Sequence, residues 1–297
     1  MKIGLVLAGG GARGAYQIGV IKALRELSID KYIKVVSGTS IGALNAMLFM
    51  SGDLNRAVEI WKSISKKEIL PTGTSNLIIR SRLLEIGIKN IDFIKKYMPK
   101  IIAGGNISRD GLIGIMDKID FSFVKTSGIT CYVACTEMKE LTAKYFKINN
   151  YEEEDIKKIL LATSAIPIIY DHEEINSFKY LDGGIVDNVP MKPVYEEKCD
   201  IIIVVNLAKD INVDKRLLPN SYIIEINPTI VEEGLFEGTL EFNRYMSKKR
   251  MEIGYKDTIE IIKPIMVLTR FIDKDINKEG KNIISFKNKI KNIIKGL

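Results

Sequence analysis

Histidine is almost missing from this sequence: His172 is the only one among 297 residues. Any mechanism that needs an imidazole must use that residue or do without. Cysteine is scarce as well. Cys131, Cys135 and Cys199 make an odd number without metal-type pairing, so neither a disulfide framework nor a zinc module is read. Period-two alternation puts Cys131, Val133 and Cys135 on one face of a strand-like run at 129–136, as reduced core residues. Long apolar runs are absent too. One of the longest, 201–205, is far shorter than the roughly 20 residues a membrane-spanning helix requires. The N-terminal apolar run, 3–8, leads into three glycines and not into a cleavage site. No export signal is read, and a cytoplasmic protein is expected, with peripheral membrane contact left open.

What is present describes a globular chain with a real core. Hydrophobic residues make up 46% and charged residues 27%, an ordinary balance for a folded domain. The net charge of +7 favours an anionic surface. Nothing resembles a nucleic-acid module, so nucleic acid is not expected as a partner.

Short apolar runs alternate with helical periodicity in the first half. Strands are expected at 3–8 and 33–36, and helices at 14–27 and 41–50. Residues 54–125 read as mainly helical, with polar breaks at 71–76 and 104–106; residues 70–110 are the place for a lid, if there is one. Strand signals return at 129–136, 143–148, 178–181, 201–205 and 222–226. This β-turn-α repetition predicts an α/β fold with a mostly parallel sheet covered by helices. No linker divides the chain, so 1–297 is read as a single domain: a core over about 3–208 and an extension over about 209–297. The tail turns Lys-rich and helical. Ile283, Phe286, Ile290, Ile293 and Leu297 recur at helical spacing among Lys287, Lys289, Lys291 and Lys295. That stripe suits either a helix packed on its own domain, the more ordinary reading, or one lying on an anionic membrane.

Gly38-Thr39-Ser40-Ile41-Gly42 follows a strand and opens a helix. In that setting G-x-S-x-G is a nucleophile elbow: the tight turn exposes Ser40, and small neighbours let the backbone double back. The plainer alternative is a turn with Ser40 as a helix cap. Gly9-Gly10-Gly11-Ala12-Arg13-Gly14 also joins a strand to a helix. Taken literally it fits the dinucleotide fingerprint, which requires an acidic residue ending the second strand. That strand ends Val35-Val36-Ser37-Gly38, without a carboxylate. The 9–14 loop suits an oxyanion hole better, since bare backbone N–H groups at a helix start can reach a tetrahedral oxyanion. Arg13 adds charge there, contacts an anionic headgroup, or forms a structural ion pair.

A serine nucleophile needs a base. His172 sits among Asp171, Glu173 and Glu174, in a polar stretch that reads as a solvated loop. A carboxylate remains. Asp182 ends a strand and precedes Gly183 and Gly184, which let another group approach closely. Asp187 is the rival, and a turn carboxylate is the plain alternative for both.

The 9–14 loop, the 38–42 elbow and Asp182-Gly183-Gly184 occur in an order and spacing that resemble the patatin-like phospholipases. Two further stretches fit: Ala162-Thr163-Ser164-Ala165-Ile166-Pro167 and Asn188-Val189-Pro190. The resemblance spans about residues 3–205. It implies a three-layer α/β/α fold and hydrolysis of lipid acyl esters by a Ser–Asp dyad, without metal or other cofactor. Carried over by position, Ser40 is the nucleophile, Asp182 the base, and Gly10, Gly11 and their neighbours the oxyanion hole. The same residues would serve a transacylase, in which a lipid alcohol replaces water. A non-catalytic nucleotide-binding module is the alternative outside this chemistry.

Overall fold

The computed structural model describes residues 1–69, 108–167, 169–208, 216, 218–231 and 238–279, with backbone alone for 272–279. Both polar breaks at 71–76 and 104–106, and the tail stripe at 283–297, lie outside the described residues.

Eight strands form one sheet: β1 (Ile3–Leu7), β2 (Ile33–Thr39), β3 (Thr130–Glu137), β4 (Thr142–Lys147), β5 (Glu173–Ile175), β6 (Phe178–Asp182), β7 (Ile201–Val205) and β8 (Tyr222–Ile226). The helices are α1 (Ala15–Glu26), α2 (Ile41–Met50), α3 (Leu54–Ser63), α4 (Lys66–Ile69), α5 (Asp110–Met116), α6 (Glu153–Thr163), α7 (Met191–Glu196) and α8 (Arg244–Glu279). Strands β3, β2, β1, β7 and β8 run parallel in that spatial order. The antiparallel pairs β3–β4, β3–β6 and β5–β6 finish one side. The sheet is mixed but mostly parallel, as the alternating pattern predicts.

Because side chains alternate along a strand, the central strands feed two cores. Ile3, Leu5, Leu7, Val36, Cys131, Val133, Cys135, Ile203 and Val205 join the larger one, with α1, α2, α3 and α6. Val6, Val35, Ile202 and Val204 form the smaller one under α7. The three layers are therefore unequal: among the described residues, one short helix covers the second face. Cys131 and Cys135 are buried free thiols on the same face as Val133.

The sheet places one feature that local pattern does not contain. Strand β2 pairs with β3 up to Thr39 opposite Ala134. The next β3 residue, Cys135, lies opposite Asp182 of β6. Residues 132–137 of β3 pair with β4 throughout, so β2 and β6 occupy the same, opposite edge of β3 in succession. Where β2 leaves the sheet at Ser40, β6 arrives from the other direction with Asp182.

Helix α8 packs closely on α1. A Cβ on Gly19 of α1 would stand 1.9 Å from the Met251 carbonyl of α8, and one on Gly254 of α8 would stand 2.1 Å from the Tyr16 carbonyl of α1. Paired glycines thus let the two helix backbones touch. Asp257 of α8 accepts hydrogen bonds from Tyr16 Oη at 3.0 Å and Thr229 Oγ1 at 2.9 Å. No helix among the described residues is long and apolar enough to cross a membrane.

Gly19→Ala is expected to lower stability by about 1–3 kcal/mol, the usual cost of forcing extra atoms into a filled contact. Gly114→Ala, where a Cβ meets nothing within 4 Å, is expected to be neutral or stabilising by about 0.5–1 kcal/mol. Urea melts of the two variants check the contrast.

Candidate active site

The elbow begins with backbone strain. Ser40 has φ 53° and ψ −124°, a region that costs a non-glycine residue about 1–3 kcal/mol. The flanking glycines are required by space. A Cβ on Gly42 would lie 2.1 Å from the Leu7 carbonyl, and one on Gly38 2.5 Å from the Gly42 carbonyl. Strand β1, the end of β2 and the first turn of α2 touch through bare backbone. The flanking side chains fix the rest: Thr39 Oγ1 donates to the Asp187 carbonyl at 2.9 Å, and Ile41 joins the core.

Thr163, at the end of α6, holds the strained residue in place. Its Oγ1 accepts the Ser40 N–H at 2.9 Å and donates to the Ala134 carbonyl at 2.5 Å. The Ser40 amide is therefore already engaged. No local pattern marks Thr163 for this role; its place in the 162–167 stretch is the only signal in the sequence.

Asp182 is buried, as is Ser40, and the Ser40 hydroxyl stands close enough to hold the Asp182 carboxyl's pKa down. Gly184 N–H donates to Asp182 Oδ1 at 2.7 Å. Its backbone is fixed on both sides, with N–H to the Ala165 carbonyl at 3.0 Å and Thr136 Oγ1 to its carbonyl at 2.9 Å. A Cβ on Gly183 would lie 2.3 Å from the Ala134 carbonyl, so this position also admits only glycine without a shift. Burial raises the Asp182 carboxyl from 3.8 to about 6, against the lowering effect of the Gly184 bond and the nearby Ser40 hydroxyl.

The rival carboxylate is occupied elsewhere. Asp187 accepts from Tyr145 Oη at 2.6 Å and Val189 N–H at 3.2 Å, and burial pushes its carboxyl up. His172 corrects the expectation of a solvated side chain: it is only 22% exposed, with Nδ1 2.7 Å from Asp171 Oδ1. It is absent from the residues that bond Asp182 or line the Ser40 pocket.

The residues of the glycine loop play separate parts. Gly9 N–H is committed to the Asn188 carbonyl at 3.1 Å, and Asn188 Nδ2 returns a bond to the Gly9 carbonyl at 3.2 Å. Gly9 is thus a clip to the Asp182 loop, which corrects its reading as an oxyanion donor. Gly10 lies against Leu207, and Gly11, at φ +56°, faces the Thr239 carbonyl and shares a pocket with Ser40. Ala12 is buried, and its carbonyl accepts from Arg250 Nη1 at 3.1 Å. Arg13 N–H bonds the Gly10 carbonyl at 3.3 Å. The Arg13 guanidinium bonds the Leu207 carbonyl at 3.2 Å and Thr239 Oγ1 at 2.5 Å, a structural use and not that of a group facing Ser40. Gly14 packs against Ile41 and Trp61. Beneath the loop, Gln17, Asn45 and Trp61 form a buried network: Gln17 Nε2 to Ala8 O at 2.8 Å, Asn45 Nδ2 to Gly14 O at 2.9 Å, and Trp61 Nε1 to Asn45 Oδ1 at 2.8 Å.

Ser40 lines a partly open pocket. Its walls are apolar: Ile41, Leu44, Ile69, Ile166, Leu240 and Phe242 among them. A hydroxyl beside a buried carboxylate at the head of an apolar slot suits nucleophilic attack on a carbonyl that carries a hydrocarbon chain.

The family model for patatin-like phospholipase matches residues 5–195. The chain belongs to the patatin-like phospholipase family. It is 27% identical over 207 residues to an uncharacterized NTE family protein of Mycobacterium bovis, covering 69% of this chain and 49% of that protein. It is 28% identical over 226 residues to the lysophospholipase NTE1 of Kluyveromyces lactis, covering 76% of this chain and 14% of that one. The chain thus spans half or less of the length of these relatives. Among solved structures, VipD from Legionella pneumophila aligns over 89% of this chain and 67% of its own, at 14% identity and a TM-score of 0.44.

The raised Asp182 pKa has a consequence for stability. A carboxyl whose folded pKa exceeds its unfolded one favours the fold most while protonated, and that contribution is lost as pH rises through the folded value. Asp182→Asn removes the charge and keeps an oxygen for Ser40 and Gly184. The variant is expected to match the parent at about pH 4 and to exceed it by up to about 3 kcal/mol at about pH 8. Urea melts at both values check this; an equal difference at both would show an unperturbed carboxyl.

Proposed function

We propose that this patatin-like chain hydrolyses carboxylic acyl esters of lipids through a Ser40–Asp182 dyad. The observation that carries the reading is the placement of a strained serine beside a buried carboxylate of raised pKa, at the head of an apolar pocket. The lysophospholipase names of relatives such as that of Kluyveromyces lactis support a lysolipid or related ester as substrate.

In this mechanism Asp182, ionised above about pH 6, removes the Ser40 proton as Oγ attacks the ester carbonyl. Backbone N–H groups of the loop at Gly10, Gly11 and Ala12 stabilise the oxyanion. The tetrahedral intermediate collapses, the bond to the leaving alcohol breaks, and the Asp182 proton passes to that oxygen. Water then gives its proton to Asp182 and attacks the acyl-enzyme, releasing the fatty acid and returning the proton to Ser40. The acyl chain occupies the slot between Ile41 and Phe242. The raised pKa of the base fits this role, because an ordinary carboxylate is too weak a proton acceptor and desolvation strengthens it.

Ser40→Ala and Asp182→Asn are each expected to abolish hydrolysis of a nitrophenyl acyl ester, and His172→Ala to retain it. The rate should rise with pH along an acid limb near 6. Activity persisting in Ser40→Ala would remove the nucleophile assignment, and its loss in His172→Ala would restore an imidazole mechanism. Product analysis with an added lipid alcohol separates hydrolysis from acyl transfer.

Leu240 and Phe242 give the segment beyond the family match a part in the pocket. Leu240→Ala is expected to shift ester preference toward longer acyl chains. A chain-length profile identical to that of the parent would take this segment out of substrate selection.

A further inference from the structure

Among the described residues, three that carry hydroxyl groups line the Ser40 pocket: Ser40, Tyr170 and Ser164. The first two are accounted for, Ser40 beside Asp182 as the proposed nucleophile and Tyr170 Oη by its bond to the Ile69 carbonyl at 2.8 Å. Ser164 is not. It is 7% exposed, and its Oγ has no hydrogen-bond partner among the described residues. Its backbone is fully tied, with N–H to the Leu161 carbonyl at 3.2 Å and the carbonyl accepting Ile166 N–H at 2.9 Å. The hydroxyl alone is left over.

A buried hydroxyl without a partner costs about 1–3 kcal/mol, and such exceptions call for an explanation. An alanine would follow the same backbone without that cost. The position is also rigidly related to the nucleophile, because the preceding residue, Thr163, holds the Ser40 amide at 2.9 Å. A shift of Ser164 would require a shift of the elbow.

We infer that Ser164 is a second substrate-contacting residue, whose Oγ donates a hydrogen bond to the acyl oxygen of a chain bound in the Ser40 pocket. The chemical class it recognises is a carbonyl oxygen on a hydrocarbon chain, and this rests on the acyl-ester reading above for the identity of the occupant. A hydroxyl rotates to donate, so the contact forms with a ground-state carbonyl and strengthens as that oxygen gains charge. Apolar walls hold the chain, and one placed donor orients its polar end.

The test uses the full chain and an uncharged carbonyl compound that cannot be hydrolysed, 2-decanone, with binding followed by calorimetry. Ser164→Ala is expected to weaken 2-decanone binding about five- to tenfold, the worth of one neutral hydrogen bond. It should lower kcat for a nitrophenyl decanoate more than it changes KM, and leave the melting temperature equal or higher. Equal affinity in parent and variant would overturn the inference. So would a fall in melting temperature without loss of affinity, which marks a structural role. Failure of the parent to bind the ketone would overturn it as well. Ser164-dependent binding in a protein that hydrolyses no ester would leave the inference standing and remove the proposed activity instead.

Discussion

The site depends on two strands sharing one edge of β3. Strand β2 uses that edge as far as Ala134, and β6 uses it from Cys135 onward. A strand that ends in the middle of a sheet leaves backbone groups without partners, and here an antiparallel strand fills the gap. The two chain segments must separate where they meet, and Ser40 and Asp182 are the residues at that junction. Their proximity follows from sheet register before any side-chain preference is considered. The arrangement is costly on both sides: Ser40 sits at φ 53°, and a carboxylate is desolvated. Thr163 and Gly184 offset part of that cost by supplying bonds to the Ser40 amide and to Asp182 Oδ1.

Around this junction, bare backbone replaces side chains at each close crossing. Gly42 meets the Leu7 carbonyl, Gly183 the Ala134 carbonyl, and Gly11 the Thr239 carbonyl. A packed interior resists displacement, so contacts of this kind leave the elbow little room to relax toward an ordinary serine conformation. The Gln17–Asn45–Trp61 network adds direction: being satisfied, it ties the end of β1, the glycine loop, α2 and α3 into one arrangement.

Much of this is legible in the sequence because it is local. Strand β7 and helix α2 announce themselves as an apolar run and as a glycine-serine turn opening a helical stretch, and the structure has them at 201–205 and 41–50. The pairing of Cys135 with Asp182 is not legible, since register between distant strands leaves no local periodicity. Thr163, Ser164 and Asn188 are visible only as parts of short stretches, because their roles arise where separate loops meet. His172 misleads for a related reason: acidic neighbours in sequence suggest solvent, while the fold covers most of the ring. Gly9 looks like its neighbours in the glycine run, and only the clip to Asn188 separates it from them.

The C-terminal segment also changes meaning once its contacts are known. By sequence it is a Lys-rich addition to a complete set of motifs. In the fold, Arg250 of α8 reaches back to bond both the Ala12 carbonyl of the glycine loop, at 3.1 Å, and the Glu241 carbonyl, at 3.0 Å. One guanidinium therefore joins the loop beside Ser40 to the strip that carries Leu240 and Phe242 into the pocket wall. The close approach of α1 and α8 at Gly19 and at Gly254 anchors the helix that presents Arg250, so displacement of α8 would disturb the loop and the wall together. The pocket wall and the glycine loop then share a single support, outside the region that the family match covers. In such an arrangement, changes in the extension act on the site through packing and hydrogen bonding, without altering Ser40 or Asp182.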